Sequence, residues 1–362
     1  MRWRVVSLIL VICLWSEGAE NFSLVSEKYD FPLRRIKKSD LFVYNVSQLQ
    51  QALPSWIRKN GILSQKILEL LKEVPSVYIE CGLFKYHLLD GYKKFWKKYC
   101  RDEPVENQAK ALVNLMLYHT SYILLFDEVC QKIDVSPAEI KNIVDLGSWS
   151  WLYAITYTKY FPTARSIVGI EINKLEAGLV FEEIKRIFGL PHFIRQIHMD
   201  IKNVSLRTPP DLITGFNLHL DPTDVEEKKY LEKKFERVLA RISEMMEEKG
   251  ESIFVISLSK AHYLDVLFTK ALELTQFQKA ERKNFIWSVY LYSRLFSLPP
   301  NDFMECAFRD VYFAKVKPQQ IENLVKLFER LCSLRQQDKN NYKKLIVLFL
   351  KEKDNIWQQK IP

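Results

Sequence analysis

Four polar positions in the middle of this chain could do chemistry together: Asp145 with its neighbour Gly147, then Glu171, Asp200 and Asn217. Asp145 and Gly147 lie in Ile143-Val144-Asp145-Leu146-Gly147-Ser148-Trp149-Ser150-Trp151, and Glu171 closes Ser166-Ile167-Val168-Gly169-Ile170-Glu171. Both runs read as strands, the first leading through a tight turn into a helix. Glu171 follows the turn glycine by 171 − 147 = 24 residues. A carboxylate there offers two acceptor oxygens to the two hydroxyls of a ribose whose remainder lies over the turn. The turn carries one glycine where a dinucleotide fingerprint needs three, which argues against NAD and FAD.

Alternating strands and helices must position these groups. Strands are expected over 142–146, 166–172, 193–199, 211–216 and 252–258, with helices over 149–160 and 174–188. A long helix follows the fourth strand, its Leu231, Phe235, Val238, Leu239, Ile242 and Met246 sharing one face up to Lys249-Gly250. Strands are also expected over 310–316 and 344–350, around a helix bearing Ile321, Leu324, Val325, Phe328 and Leu331. This pattern implies a doubly wound, mostly parallel α/β sheet with helices on both faces, whose ligands gather beyond the carboxyl ends of the strands. Residues 40–138 show helical spacing throughout, as in Ile62-Leu63, Ile67-Leu68 and Leu70-Leu71, and read as a helical N-terminal domain ahead of an α/β domain at 139–352.

On Val144-Asp145-Leu146-Gly147-Ser148, Val168-Gly169-Ile170-Glu171, His198-Met199-Asp200-Ile201 and Asp211-Leu212-Ile213-Thr214-Gly215-Phe216-Asn217, the sequence resembles the class I S-adenosylmethionine-dependent methyltransferases, which are Rossmann-like. The resemblance implies S-adenosylmethionine as cofactor. Asp145 would then hold the amino group of the methionine end, with Gly147, Ser148 and Ser150 in the loop beneath it. Glu171 would accept from the ribose hydroxyls and Asp200 from the adenine amino group. Ile172 or Ile201 would pack on the ring, and Asn217 would lie beside the reactive methyl. Trp149 and Trp151 depart from the pattern, standing where members of the family carry further glycines. Their indoles either crowd the methionine moiety or send the loop on another course.

No catalytic residue is assigned. Methyl transfer needs alignment of a nucleophile and a base for a protonated one, and after the fourth strand His219 and Asp221 are the candidates. Asp221 reads more simply as a helix cap. The expected function is S-adenosylmethionine-dependent methyl transfer to RNA or protein in preference to a small molecule. The alternative is a non-catalytic binding or assembly module on the same fold.

The rest of the chain sets bounds. Its 362 residues, 48% of them apolar, suffice for a large core, and 53 basic against 44 acidic side chains leave a charge of +9 that suits acidic partners. Six cysteines (Cys13, Cys81, Cys100, Cys130, Cys306, Cys332) form no C-x-x-C pair, and the histidines show no ligand spacing, so no metal is expected. The run 91–101 interleaves five positive charges with four aromatics. At helical spacing Tyr92, Phe95, Trp96 and Tyr99 form a stripe of their own, which favours an amphipathic helix docking its aromatic face over a nucleic-acid reader. Residues 1–18 have the layout of a secretory signal peptide, or of an apolar arm. An intracellular, cytoplasmic protein is expected, with the secretory pathway as the alternative if that segment is a working leader, and membrane association only if it is an anchor.

Overall fold

The computed structural model describes residues 44–72, 74–148, 151–216, 228–246, 250–258, 263–280 and 310–337. Helices of seven residues or more are numbered in chain order: α1 (Val46–Ala52), α2 (Gly61–Leu71), α3 (Val105–Lys132), α4 (Ala154–Tyr160), α5 (Glu176–Phe188), α6 (Lys228–Met246), α7 (Tyr263–Glu273) and α8 (Pro318–Gln337). The strands are β1 (Asn142–Leu146), β2 (Ser166–Glu171), β3 (Ile194–His198), β4 (Leu212–Gly215), β5 (Ser252–Leu258), β6 (Gln278–Lys279) and β7 (Asp310–Val316).

They form a seven-stranded sheet in the order β3-β2-β1-β4-β5-β7-β6. The first five are parallel, whereas β7 runs antiparallel to β5 from Ser252 opposite Val316 to Leu258 opposite Asp310. The order reverses between β1 and β4, so the crevice outside those two strand ends is the switch point where an open sheet of this kind takes its ligand.

Successive strand side chains point to opposite faces, and that alternation divides the core in two. Ile143, Ile167, Ile194, Leu212, Ile253 and Phe313 face a cluster completed by the N-terminal helices, α4 and α5. Val144, Val168, Ile170, Ile213, Phe254 and Ile256 face the other cluster, completed by Leu239 and Ile242 of α6, Leu267 and Phe268 of α7 and Phe328 of α8. A central strand buried on both faces explains why β5 carries the unbroken apolar run from Ile253 to Ile256. The helical N-terminal region therefore shares its core with one face of the sheet.

Within that region α3 is buried around most of its circumference, with Leu112, Met116, Leu117, Ile123 and Phe126 almost fully enclosed. That is the pattern of a central core helix. No helix among the described residues is long and apolar enough to cross a membrane.

The expected strands over 142–146, 252–258 and 310–316 appear with those bounds, and those over 166–172, 193–199 and 211–216 differ by at most one residue at either end. The helix expected from 149 begins at Ala154, with Leu152 and Tyr153 in a turn just ahead of it. Strand β6 was not anticipated, its two exposed residues being too few to show a period. The strand expected over 344–350 lies outside the described residues, as does the segment 1–18.

The basic run 91–101 docks its aromatic side. Tyr92 and Phe95 are buried against Phe188 at the end of α5, with ring centroids 5.2 and 6.2 Å away. Lys93, Lys94, Lys97 and Lys98 remain exposed, and Lys98 pairs with Glu183. Among the described residues Cys81 and Cys130 are free thiols.

Candidate functional site

The site is built from the turn after β1 outward. Gly147 takes a left-handed backbone, φ 68°, which glycine adopts without strain. Its N–H and that of Ser148 both donate to the Ile170 carbonyl, at 2.9 and 3.2 Å, so the turn is tied to the end of β2. Ser148 is fully buried, and its hydroxyl oxygen accepts from Gln196 Nε2 at 2.8 Å.

Trp149 and Ser150 lie outside the described residues. Where the chain is next described, the Trp151 N–H donates back to the Ser148 carbonyl at 2.9 Å. Trp151 has φ 50°, an outlier for so bulky a residue, and is 0% exposed. Its indole packs on Phe181 of α5 and Tyr157 of α4, with ring centroids 5.3 and 6.3 Å apart.

Gly169 of β2 is what admits this turn. A Cβ there would stand 2.7 Å from Ser148 Oγ and 2.9 Å from Trp151 Cε3. Both neighbours are buried and neither can simply rotate away. Gly169→Ala is therefore expected to destabilise the fold by about 1–3 kcal/mol, the scale of core overpacking. Urea denaturation checks this, and an unchanged midpoint would mean that the turn does not rest on β2 in this way.

Asp145 does not reach the rim of the sheet. By strand alternation it shares the face of Ile143, and Thr214, opposite it in register on β4, shares the face of Leu212. Both therefore point into the helix-covered core, where Asp145 is 0% exposed. Its Oδ2 accepts from the Tyr153 hydroxyl and its Oδ1 from the Thr214 hydroxyl, each at 2.6 Å. The Tyr157 hydroxyl lies 2.6 Å from the same Thr214 oxygen. Burial pushes the Asp145 carboxyl up to about 7, against the lowering effect of its hydroxyl donors.

Glu171 ends β2 at the rim, 8% exposed. Its Oε1 accepts from the Asn173 N–H at 2.9 Å, and its carbonyl accepts from the Met199 N–H at 3.0 Å. That second bond ties the ends of β2 and β3 together, which brings Glu171 close to Asp200. The Asp200 carboxylate accepts from the Lys202 N–H at 3.3 Å, capping the turn Ile201–Asn203, and pairs with Lys202 Nζ at 3.4 Å.

Ile172 is 63% exposed beside Glu171, whereas Ile201 is half-buried against the second core cluster. Gly178 of α5 lies over the next strand: a Cβ there would meet His198 Nε2 at 2.7 Å. Asn217, His219 and Asp221 lie outside the described residues, as does Ser150.

The structure thus gathers Glu171, Ile172, Asp200 and Ile201 at adjoining strand ends and places Gly147 at the neighbouring turn. It sets Asp145 and Ser148 inside, bonded to other side chains. Sequence reasoning missed Tyr153, Tyr157, Thr214 and the packing role of Gly169. One partial signal was present: Asp145 has the parity of Ile143, so the two side chains share one face of the sheet, and which elements cover that face is set by the tertiary structure.

No protein-family model matches the chain, and no curated protein matches it. Among solved structures it is similar to StiE O-MT residues 961–1257, at 14% identity over 66% of this chain and 87% of that one, with TM-score 0.37. It is similar also to the N-methyltransferase NodS from Bradyrhizobium japonicum WM9, at 11% identity over 56% and 96% of the two chains, TM-score 0.33. TrmN from Thermus thermophilus aligns at 13% identity over 54% and 48%, TM-score 0.31. The doubly wound, mostly parallel sheet with a helical N-terminal region, expected from the sequence, stands on the strand order itself.

Proposed function

We propose that this chain is an S-adenosylmethionine-dependent methyltransferase that holds its cofactor at the carboxyl edge of the sheet and acts on RNA or protein rather than on a small molecule. The observation that carries the reading is the placement of Glu171 at the end of β2, tied by backbone to β3 and beside the Gly147 turn at the switch point. Residues present there fit the adenosine end: Glu171 for the ribose hydroxyls, Asp200 for the adenine amino group, and the exposed Ile172 for the ring face. The net charge of +9 supports an acidic macromolecule as substrate. When bound, the cofactor would supply an electrophilic methyl group. The chain supplies alignment and the exclusion of water.

The methionine end fits less well. Asp145 is buried and already bonded to Tyr153 and Thr214, and the Trp151 indole is buried against Phe181 and Gly169 beside them. That observation favours a second reading, a non-catalytic module that keeps the fold for binding or assembly.

Calorimetric titration of the full chain with S-adenosylmethionine and S-adenosylhomocysteine separates the two. The methyltransferase reading expects micromolar binding. Glu171→Ala is expected to weaken it by about 1.5–3 kcal/mol, the scale of a hydrogen bond to a charged group. No binding by folded protein would favour the non-catalytic module. Binding unaffected by Glu171→Ala would take that residue out of the site.

A further inference from the structure

We propose that Tyr153 is a specificity-determining residue of this site. By capping the Asp145 carboxylate it denies a ligand's ammonium group its partner, so that the site recognises the adenine nucleoside and gains little from an amino-acid tail. The proposal rests on the nucleoside-site reading above and names what that site selects.

Asp145 on β1 and Thr214 on β4 stand in register across the switch point, so Asp145 is the acid that β1 contributes beside that crevice. Each carboxylate oxygen already accepts a hydroxyl at 2.6 Å, from Tyr153 and from Thr214. The Thr214 hydroxyl is itself engaged with Tyr157.

Tyr153 is held in place on several sides. It is 1% exposed, its ring stacks on Tyr122 at 4.5 Å and 11°, and the Phe216 ring meets it edge-on at 5.8 Å and 81°. Swinging the phenol aside would break that stack. An ammonium replacing it would also have to shed its water in a fully buried position.

The chain is committed to this arrangement upstream. The Trp151 carbonyl accepts the Ala154 N–H at 2.9 Å, which sets the entry to α4 and the place of Tyr153. Trp151 keeps a left-handed backbone at φ 50° while buried, so the fold sustains local strain at the residue that leads into the cap.

The test compares two probes on the full-length chain by calorimetry: 5′-methylthioadenosine, which has no amino-acid tail, and S-adenosylhomocysteine, which has one. In the wild type the two are expected to bind within about threefold of each other. Tyr153→Ala, which uncaps Asp145 and opens space beside it, is expected to shift the ratio at least tenfold toward S-adenosylhomocysteine, with 5′-methylthioadenosine little changed. A wild-type preference of tenfold or more for the tailed ligand would overturn the proposal, and this reading needs no variant to fold. A ratio unchanged in folded Tyr153→Ala would overturn it while leaving the nucleoside site standing. Failure of both probes to bind wild type and variant alike would remove the nucleoside site and the proposal with it.

Discussion

Trp151→Ala is expected to lower the stability of this protein by about 3–5 kcal/mol, a cost measured as a reduced midpoint in urea or thermal denaturation. The indole is 0% exposed and belongs to the larger core cluster, between Phe181 of α5, Tyr157 of α4 and the bare backbone of Gly169. Truncating it forfeits the transfer free energy of a large aromatic and leaves a cavity walled by a strand and two helices that cannot easily collapse. The backbone provides an internal control. At φ 50° alanine keeps the steric penalty of a left-handed residue, on the order of 1 kcal/mol, and glycine does not. Trp151→Gly should therefore be no less stable than Trp151→Ala despite removing one more carbon. A loss below about 1 kcal/mol in either variant would mean that the indole is not buried against Phe181 and Gly169.

The second large effect concerns Asp145 and pH. In the folded protein burial holds its carboxyl at about 7, and in the unfolded chain it has the ordinary value near 3.8. Between those values the unfolded state has released the proton and the folded state retains it. Folded protein therefore binds more protons, and stability falls as pH rises from about 4 to about 7. Over the whole window the loss amounts to roughly 4 kcal/mol, with no further change above it.

His119 works in the opposite sense. It is fully enclosed, its Nδ1 is 3.0 Å from the Thr156 hydroxyl, and burial lowers its pKa to about 3. Below the ordinary value near 6.5 the unfolded chain takes up a proton that the folded one refuses, so stability is lost as pH falls. The two slopes offset each other in the wild type. The measurable quantity is therefore a difference: relative to Asp145→Asn, the wild type should lose stability on going from pH 4 to pH 7. The variant alone should become more stable over the same range, once the His119 slope is unopposed. Chemical denaturation of both proteins at several pH values decides it, and parallel profiles would mean that Asp145 is ionised in the folded state.

Much of the architecture was legible in the residues. β1, β5 and β7 were placed to the residue, because strands buried along most of their length show as largely apolar runs and their ends as changes of composition. Glu171 and Asp200 were located at strand ends for the same reason, and backbone pairing of β2 with β3 then brings them close. The antiparallel sense of β7 was not legible, since direction leaves no mark on the period of a buried strand.

The clearest divergence is at Asp145. Strand, turn and carboxylate were recognised from local sequence, and the resemblance assigned the acid to a ligand. Its alternation with Ile143 points it instead into the face that α4 covers, where Tyr153 and Thr214 take both oxygens. The partners lie 8 and 69 residues away. Trp151 behaved similarly: its bulk beside a glycine was visible, and whether the indole would crowd a ligand or fill the core depended on the room left by Gly169, Phe181 and Tyr157.

By itself, then, this sequence determined the alternation of strands and helices, the position of the turn glycine and the order of acids along the strand ends. These are set by period, turn chemistry and composition, which act between residues near in the chain. Only the tertiary structure decided which acid faces the rim and which is sealed in the core. That depends on packing between elements far apart in sequence, where a single hydroxyl 2.6 Å from a buried carboxylate redirects what the carboxylate can bind.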